Sequence, residues 1–155
     1  LQGDWSSDVC SSDLARGNAN IEHEREVAIY DIVEANVFAL AGRSDGPYRL
    51  VLGIAEDRLV LNVAPVQGSA PPQIHLLSLT PMRRVLKDYF LVCETYYQAI
   101  RSQPPSKIQA IDMGRRALHD EGSRILSDRL SGKVSLDHDT ARRLFTLICA
   151  LHWKG

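Results

Sequence analysis

Residues 73–93, QIHLLSLTPMRRVLKDYFLVC, change their hydrophobic period partway through. Gln73 to Leu77 is a short, β-rich run bounded upstream by a Gly- and Pro-containing loop, which reads as a strand. From Thr80 onward the apolar residues recur every 3.6 positions instead. Thr80 is the expected N-cap, with Pro81 at the first helical position, where its missing N–H is of no consequence. On a helical wheel Met82, Leu86, Tyr89, Cys93, Tyr96, Tyr97 and Ile100 share one wide face. Strands therefore precede this point and helices follow it, which is the signature of an α+β fold.

Working outward toward the N-terminus, Tyr48, Leu50, Leu52 and Ile54 alternate along one strand and Leu59, Leu61 and Val63 along the next. The tight Glu56–Asp57 connection makes the two an antiparallel hairpin, and Gln73 to Leu77 extends it to a three-stranded meander. Ile21 to about Val37 reads as a first helix, acidic at its start through Glu22, Glu24 and Glu26, as suits the positive end of a helix dipole. Arg43 to Gly46 reads as a loop.

Toward the C-terminus, Pro104 and Pro105 end the first long helix, and Ser106 with Gln109 forms a capping box for the next. That helix runs to about Leu130 and stops at Gly132. Asp137 or Asp139 caps the last helix, whose Leu144, Phe145, Leu147, Ile148, Leu151 and Trp153 make it apolar all round. A helix apolar on every side is enclosed by its neighbours. The expected fold is a single α+β domain over residues 21–155: an N-terminal helix, a three-stranded antiparallel sheet, then a three-helix bundle with the C-terminal helix at its centre.

The chain has 155 residues, 45% hydrophobic and 24% charged, and a net charge of −1. That net value averages two unlike halves. Residues 1–79 hold 5 Lys or Arg against 11 Asp or Glu, a net of −6, whereas residues 80–155 hold 13 against 8, a net of +5. Gly3 to Leu14, GDWSSDVCSSDL, resembles the conceptual translation of a sequencing adapter, so residues 1–20 are set aside as a non-native or disordered segment. Without the three aspartates of that stretch the chain carries +2. Cys93 and Cys149 lie in apolar helical runs, as buried small hydrophobes do. With no signal peptide in view, the expected compartment is a reducing cytoplasm. The most apolar stretch, Leu144 to Leu151, is far shorter than the ~20 residues a membrane-spanning helix needs, so no membrane association is expected.

Adjacent arginines recur in three helical runs: Arg83–Arg84, Arg115–Arg116 and Arg142–Arg143. Neighbours on a helix differ by about 100° in azimuth, so each pair can send one guanidinium outward and hold the other near the core. In the helix from Ile108, the positions Ile108, Ile111, Leu118, Ile125 and Leu126 share an arc that also contains Arg115, Gly122 and Arg129. A charge directed at a core needs a partner. For Arg115 the plain expectation is a salt bridge with Asp88, Glu94 or Asp112; the sharper one is a bound anion. Gly122 would leave room for a neighbouring backbone or a ligand, and His119 borders the same face. Arg142 and Arg143 begin the last helix, where cations oppose the dipole, which favours a paired carboxylate or an external anion. Arg84 and Arg116 fall off the apolar arcs and are expected in solvent.

Other chemistries find less support. Asp137-His138-Asp139 offers three ligands in a row, but consecutive residues rarely point at one ion, and no metal site or cofactor is expected. Cys149 and His152 are one turn apart, with nothing nearby to lower the thiol pKa. Gly42, Gly46 and Gly53 fit no phosphate-loop spacing. Asp112, Asp120, Glu121 and Asp128 interrupt the basic residues of the C-terminal half, which argues against a nucleic-acid track.

The stretches HEREVAIYDIVE, GPYRLVLGIAEDRLVL, HLLSLTPMRRVLKDYFLVCETYYQAI, IQAIDMGRRALHDEGS and DTARRLFTLICALHWKG together resemble a small bacterial family, chiefly alphaproteobacterial, known as uncharacterised protein family 0262. The resemblance covers nearly all of the chain after the adapter-like segment. It implies no activity, cofactor or catalytic residue. The functional expectation therefore rests on the residues: a non-enzymatic cytosolic binding or regulatory module in which Arg83, Arg115, His119, Arg142 and Arg143 hold a small anion or an acidic protein partner. The alternative is a small enzyme acting on a phosphorylated or carboxylated metabolite, with His119 as general acid or base.

Overall fold

The structure is a computed structural model that describes residues 19–43 and 45–152. The adapter-like segment, and Trp153 of the expected apolar set, lie outside the described residues. Helix α1 spans Ala19–Glu34 and buries the narrow stripe Ile21, Ala28 and Ile32. It ends three residues earlier than expected. Asn36 Nδ2 donates to the Ile32 carbonyl at 2.7 Å, satisfying one of the acceptors that a helix end leaves open.

The chain then forms β1, Phe38–Leu40, which the sequence reading missed along with its partner β5, Val134–Leu136. The two pair antiparallel with Phe38 opposite Leu136 and Leu40 opposite Val134. Segments of three residues carry no measurable period, and this pairing joins positions about a hundred residues apart, so no local signal announces it.

Strands β2, Tyr48–Ala55, and β3, Arg58–Pro65, form the expected hairpin, and β4, Gln73–Ser78, pairs along the other edge of β3. The register sets Leu50 against Val63, Leu52 against Leu61 and Leu59 against Leu77, so one face of the sheet is a layer of buried aliphatics. Glu56 and Asp57 turn the hairpin with φ of 52° and 61°, both left-handed, as the twist of a two-residue turn demands.

The β-to-helix junction differs from expectation. Thr80–Met82 is a single 3₁₀ turn that begins after Leu79, and no side chain caps it; Thr80 instead bonds with Ser78. Helix α2 follows at Arg83–Ser102 and buries Val85, Leu86, Tyr89, Cys93 and Ala99. Tyr96 and Tyr97 are half-buried, and Ile100 of the expected face is exposed. Helix α3, Pro105–Leu130, starts from Pro104 without the Ser106–Gln109 capping box. Pro105 sits in its first turn, where the ring presets φ for the helix. Arg129, expected inward, is exposed. Gly132, at φ 83°, stops the helix as expected.

Helix α4, His138–His152, is capped by Asp137, whose Oδ1 accepts from Thr140 N at 2.9 Å. It buries Ala141, Leu144, Phe145, Leu147, Ile148, Cys149 and Ala150 and packs against α1, α3 and β2, which makes it the central helix. α2 packs on α3. Gly122 of α3 receives the ring of Phe145 rather than a backbone or a ligand. A single apolar cluster links Ala28 and Ile32 of α1, the inner sheet face, and the three later helices. None of the described helices is long and apolar enough to cross a membrane.

Candidate functional site

α1, α3 and α4 do not close completely on one another, and the gap between them is a pocket of ≈ 550 Å³. Each helix supplies a distinct wall. From α3 come Arg115, Arg116 and His119; from α4 come Asp139, Arg142, Arg143 and Thr146. From α1 come His23, Glu24, Val27 and Asp31, and Tyr89 of α2 contributes as well. Four arginines stand on α3 and α4, accompanied by Asp139 of α4, while Glu24 and Asp31 stand on α1.

Arg115 is the best-held of the four. Its Nε and one terminal nitrogen both donate to Asp112 Oδ1, at 3.0 and 2.6 Å, and the guanidinium lies 4.7 Å from the Tyr96 ring centroid. Asp112 was one of the three partners anticipated for it. Burial opposes its charge, but the hydrogen bond to Asp112 and neighbouring charges outweigh that, so its pKa is raised. The same carboxylate, held well below the usual range chiefly by the Arg115 bond, also takes Arg116 Nε at 2.9 Å. Two arginines thus share one counter-charge. Arg116 is largely exposed, as expected, yet it forms part of the rim.

On α4, Arg142 Nη1 lies 3.2 Å from Asp120 Oδ1, outside good hydrogen-bond geometry, and Arg143 Nη1 donates to the Ala35 carbonyl at 3.2 Å. A guanidinium has five N–H donors. All four therefore retain donors with no partner among the described residues. Arg83, the remaining arginine of the expected site, is not brought here: it pairs with Asp57 at the hairpin turn. Arg84 bridges Asp88 and Glu121 on the outside of α2 and α3.

His119 forms the floor. It is 9% exposed, and its ring meets Tyr89 and Phe145 edge-on at centroid distances of 5.5 and 5.2 Å. Nε2 lies 2.8 Å from Thr146 Oγ1, and that hydroxyl donates to the Arg142 carbonyl at 3.2 Å. The hydroxyl proton being used, Nε2 carries the ring proton and donates to Thr146. Nδ1 is then a buried lone pair with no partner among the described residues. Burial, reinforced by the Arg142 charge, pulls the pKa down to about 4, so the ring is neutral.

A second cavity of ≈ 260 Å³ lies between α1, α2 and α4 and shares Glu24, Tyr89 and Thr146 with the first. Its other walls are Ile21, Phe90, Cys93, Tyr97, Cys149 and Ala150, together with the carboxylate-bearing Glu94. Glu24 accepts from Tyr97 OH, which fixes the carboxylate at the junction of the two spaces. Burial pushes the Cys93 thiol up to about 11 and raises Cys149 well above its ordinary value, so both are protonated and poor nucleophiles. His152 stacks on Phe90.

Asp137, His138 and Asp139 diverge: the first caps α4, the second lies 3.6 Å from Asp120, and the third faces the pocket. Among the described residues no group of three or more His, Cys, Asp or Glu is placed to hold a metal ion. His23, Glu24, Asp31, Tyr89 and Thr146 were missed by sequence reasoning. His23, Glu24, Val27 and Asp31 do form a stripe at helical spacing beside the apolar one, which was the available signal.

The model of the Uncharacterised protein family (UPF0262) matches residues 7–154. A UPF0262 protein of Rhodopseudomonas palustris strain BisB18 is 59% identical over 142 residues, covering 92% of this chain and 86% of its own. A UPF0262 protein of Methylobacterium radiotolerans is 61% identical over 142 residues, 92% of this chain and 88% of its own. One from Rhizobium meliloti strain 1021 is 54% identical over 147 residues, 95% of this chain and 92% of its own. No solved structure matches.

Proposed function

Because the chain belongs to the uncharacterised protein family UPF0262, whose description names no reaction, we propose from the geometry that it is a cytoplasmic, non-enzymatic binding module for a small carboxylated or phosphorylated molecule. One observation carries this reading: Arg115, Arg116, Arg142 and Arg143 converge on one pocket with spare donors among the described residues. Planar guanidinium forks match carboxylate and phosphate geometry, and a concave site of this size suits a small molecule better than an acidic protein face.

An enzymatic reading would use His119 as its acid or base. General catalysis is most effective when the pKa lies near the working pH, and a ring held at about 4 is a weak base and no acid at neutrality. Its place in the floor, edge-packed on Tyr89 and Phe145, suits a structural role. Carboxylates in the lining, Asp31 and Asp139 among them, oppose a nucleic-acid backbone.

Isothermal titration with inorganic phosphate, acetate and a panel of phosphorylated metabolites tests the reading. Binding that weakens about tenfold or more in Arg142→Met is the expected result, since a hydrogen bond to a charged group contributes about 1.5–3 kcal/mol. No heat and no 31P line broadening at millimolar anion, with carboxylated metabolites and amino acids silent as well, would remove it.

A further inference from the structure

The pocket is not a simple anion trap, because Glu24 and Asp31 of α1 stand across from the arginines. A free phosphate gains from one wall and is repelled by the other. A molecule bearing both charges suits both walls. Glu24 is the telling residue, since it borders both cavities and Tyr97 OH occupies only one of its oxygens among the described residues. A carboxylate offers about four lone-pair positions, so capacity remains for an ammonium. Beyond Glu24 the second cavity is lined by Phe90, Cys93, Cys149 and Ala150, with Glu94 also in its wall.

From these three adjoining environments we infer that the ligand is an α-amino acid with a bulky apolar side chain. Its carboxylate lies against Arg115 and Arg142, its ammonium against Glu24, and its side chain in the ≈ 260 Å³ cavity. An α-amino acid is the smallest chemistry that puts an anion, a cation and an apolar group on a single carbon, and Glu24 borders the junction of the two cavities, beside which such a carbon would lie. The inference rests on the arginine pocket proposed above and specifies what fills it.

The test is isothermal titration of the full chain with L-phenylalanine, L-leucine, glycine, 3-phenylpropionate, 2-phenylethylamine and inorganic phosphate. At least one of the two apolar amino acids is expected to bind about tenfold or more tighter than glycine, since a buried apolar side chain contributes that much or more. L-phenylalanine is likewise expected to exceed both of its one-charge analogues. Glu24→Gln should remove the preference for L-phenylalanine over 3-phenylpropionate. The ligand series needs no variant, so a folding defect does not obscure it. Equal affinity for glycine and both apolar amino acids overturns the role of the second cavity, and equal affinity for L-phenylalanine and 3-phenylpropionate overturns the role of Glu24. Silence from every amino acid with phosphate still binding overturns this inference alone; silence from phosphate as well removes the underlying reading too.

Discussion

Replacing Gly122 with alanine places a methyl carbon 2.8 Å from Phe145 Cε2 and closer still to Cε1 and Cζ. Ordinary carbon contacts lie at about 3.5–4.0 Å, so the overlap is about 1 Å on three ring atoms. Phe145 is fully buried, and its ring is edge-packed on Tyr89 at 5.9 Å and His119 at 5.2 Å, so it cannot swing aside without displacing both. Overpacking of this kind costs about 3 kcal/mol, while the better helix propensity of alanine returns about 1 kcal/mol. The expected net loss is about 2 kcal/mol, or about 4–8 °C in Tm for a chain of this size. Urea unfolding followed by circular dichroism measures it. The control is Phe145→Leu, which makes room: in that background Gly122→Ala should lose at least about 1 kcal/mol of its penalty, a coupling typical of residues in contact. A Gly122→Ala protein as stable as its parent, or a penalty that is the same with and without the Phe145→Leu change, would refute the packing argument.

His119 predicts an acid sensitivity. Its folded pKa of about 4 lies below the ordinary 6.5, so between those values the unfolded chain binds a proton that the folded chain does not. Stability is full above pH 6.5 and falls as pH drops toward 4, by about 3 kcal/mol in all and about 2 kcal/mol between pH 7 and pH 5. Urea midpoints at those two pH values should converge in His119→Gln, and an undiminished difference would assign the sensitivity elsewhere. Glu56→Gly relieves a left-handed side-chain residue in the hairpin turn and should add about 0.5 kcal/mol, read from the urea midpoint; a loss would mean that the turn is not strained. Asp137→Ala removes the cap of α4 and should cost about 1 kcal/mol in the same assay, with no change counting against the cap.

How much of this could be read from the chain depended on the range of the interaction. The hairpin, the meander and the three later helices all came from short-range period and from punctuation by Pro104, Pro105 and Gly132. Helix starts fared worse: Thr80 and Ser106 have capping chemistry, yet the prolines beside them set the first turns without it. In the site, Arg115 was legible because it falls within an apolar arc, His119 because it borders that arc, and Arg142 and Arg143 because they begin a helix; Arg83, of another adjacent pair, was directed elsewhere by Asp57, a residue on another element. The α1 wall was illegible because its polar stripe becomes a pocket lining only when α4 packs beside it.

The β1–β5 ribbon and the Val37 N–H donated to Thr140 Oγ1 clasp the first described helix to the last. Everything in between must be made before that clasp can shut, and loop closure over such a span is slow relative to helix or hairpin formation. On the ribosome the hairpin and α2 can settle early, but the pocket between α1, α3 and α4 cannot form until α4 has been made. A nascent chain that lacks α4 therefore lacks one wall of the cleft, and the shape of the pocket waits on the strand and helix that close the ribbon.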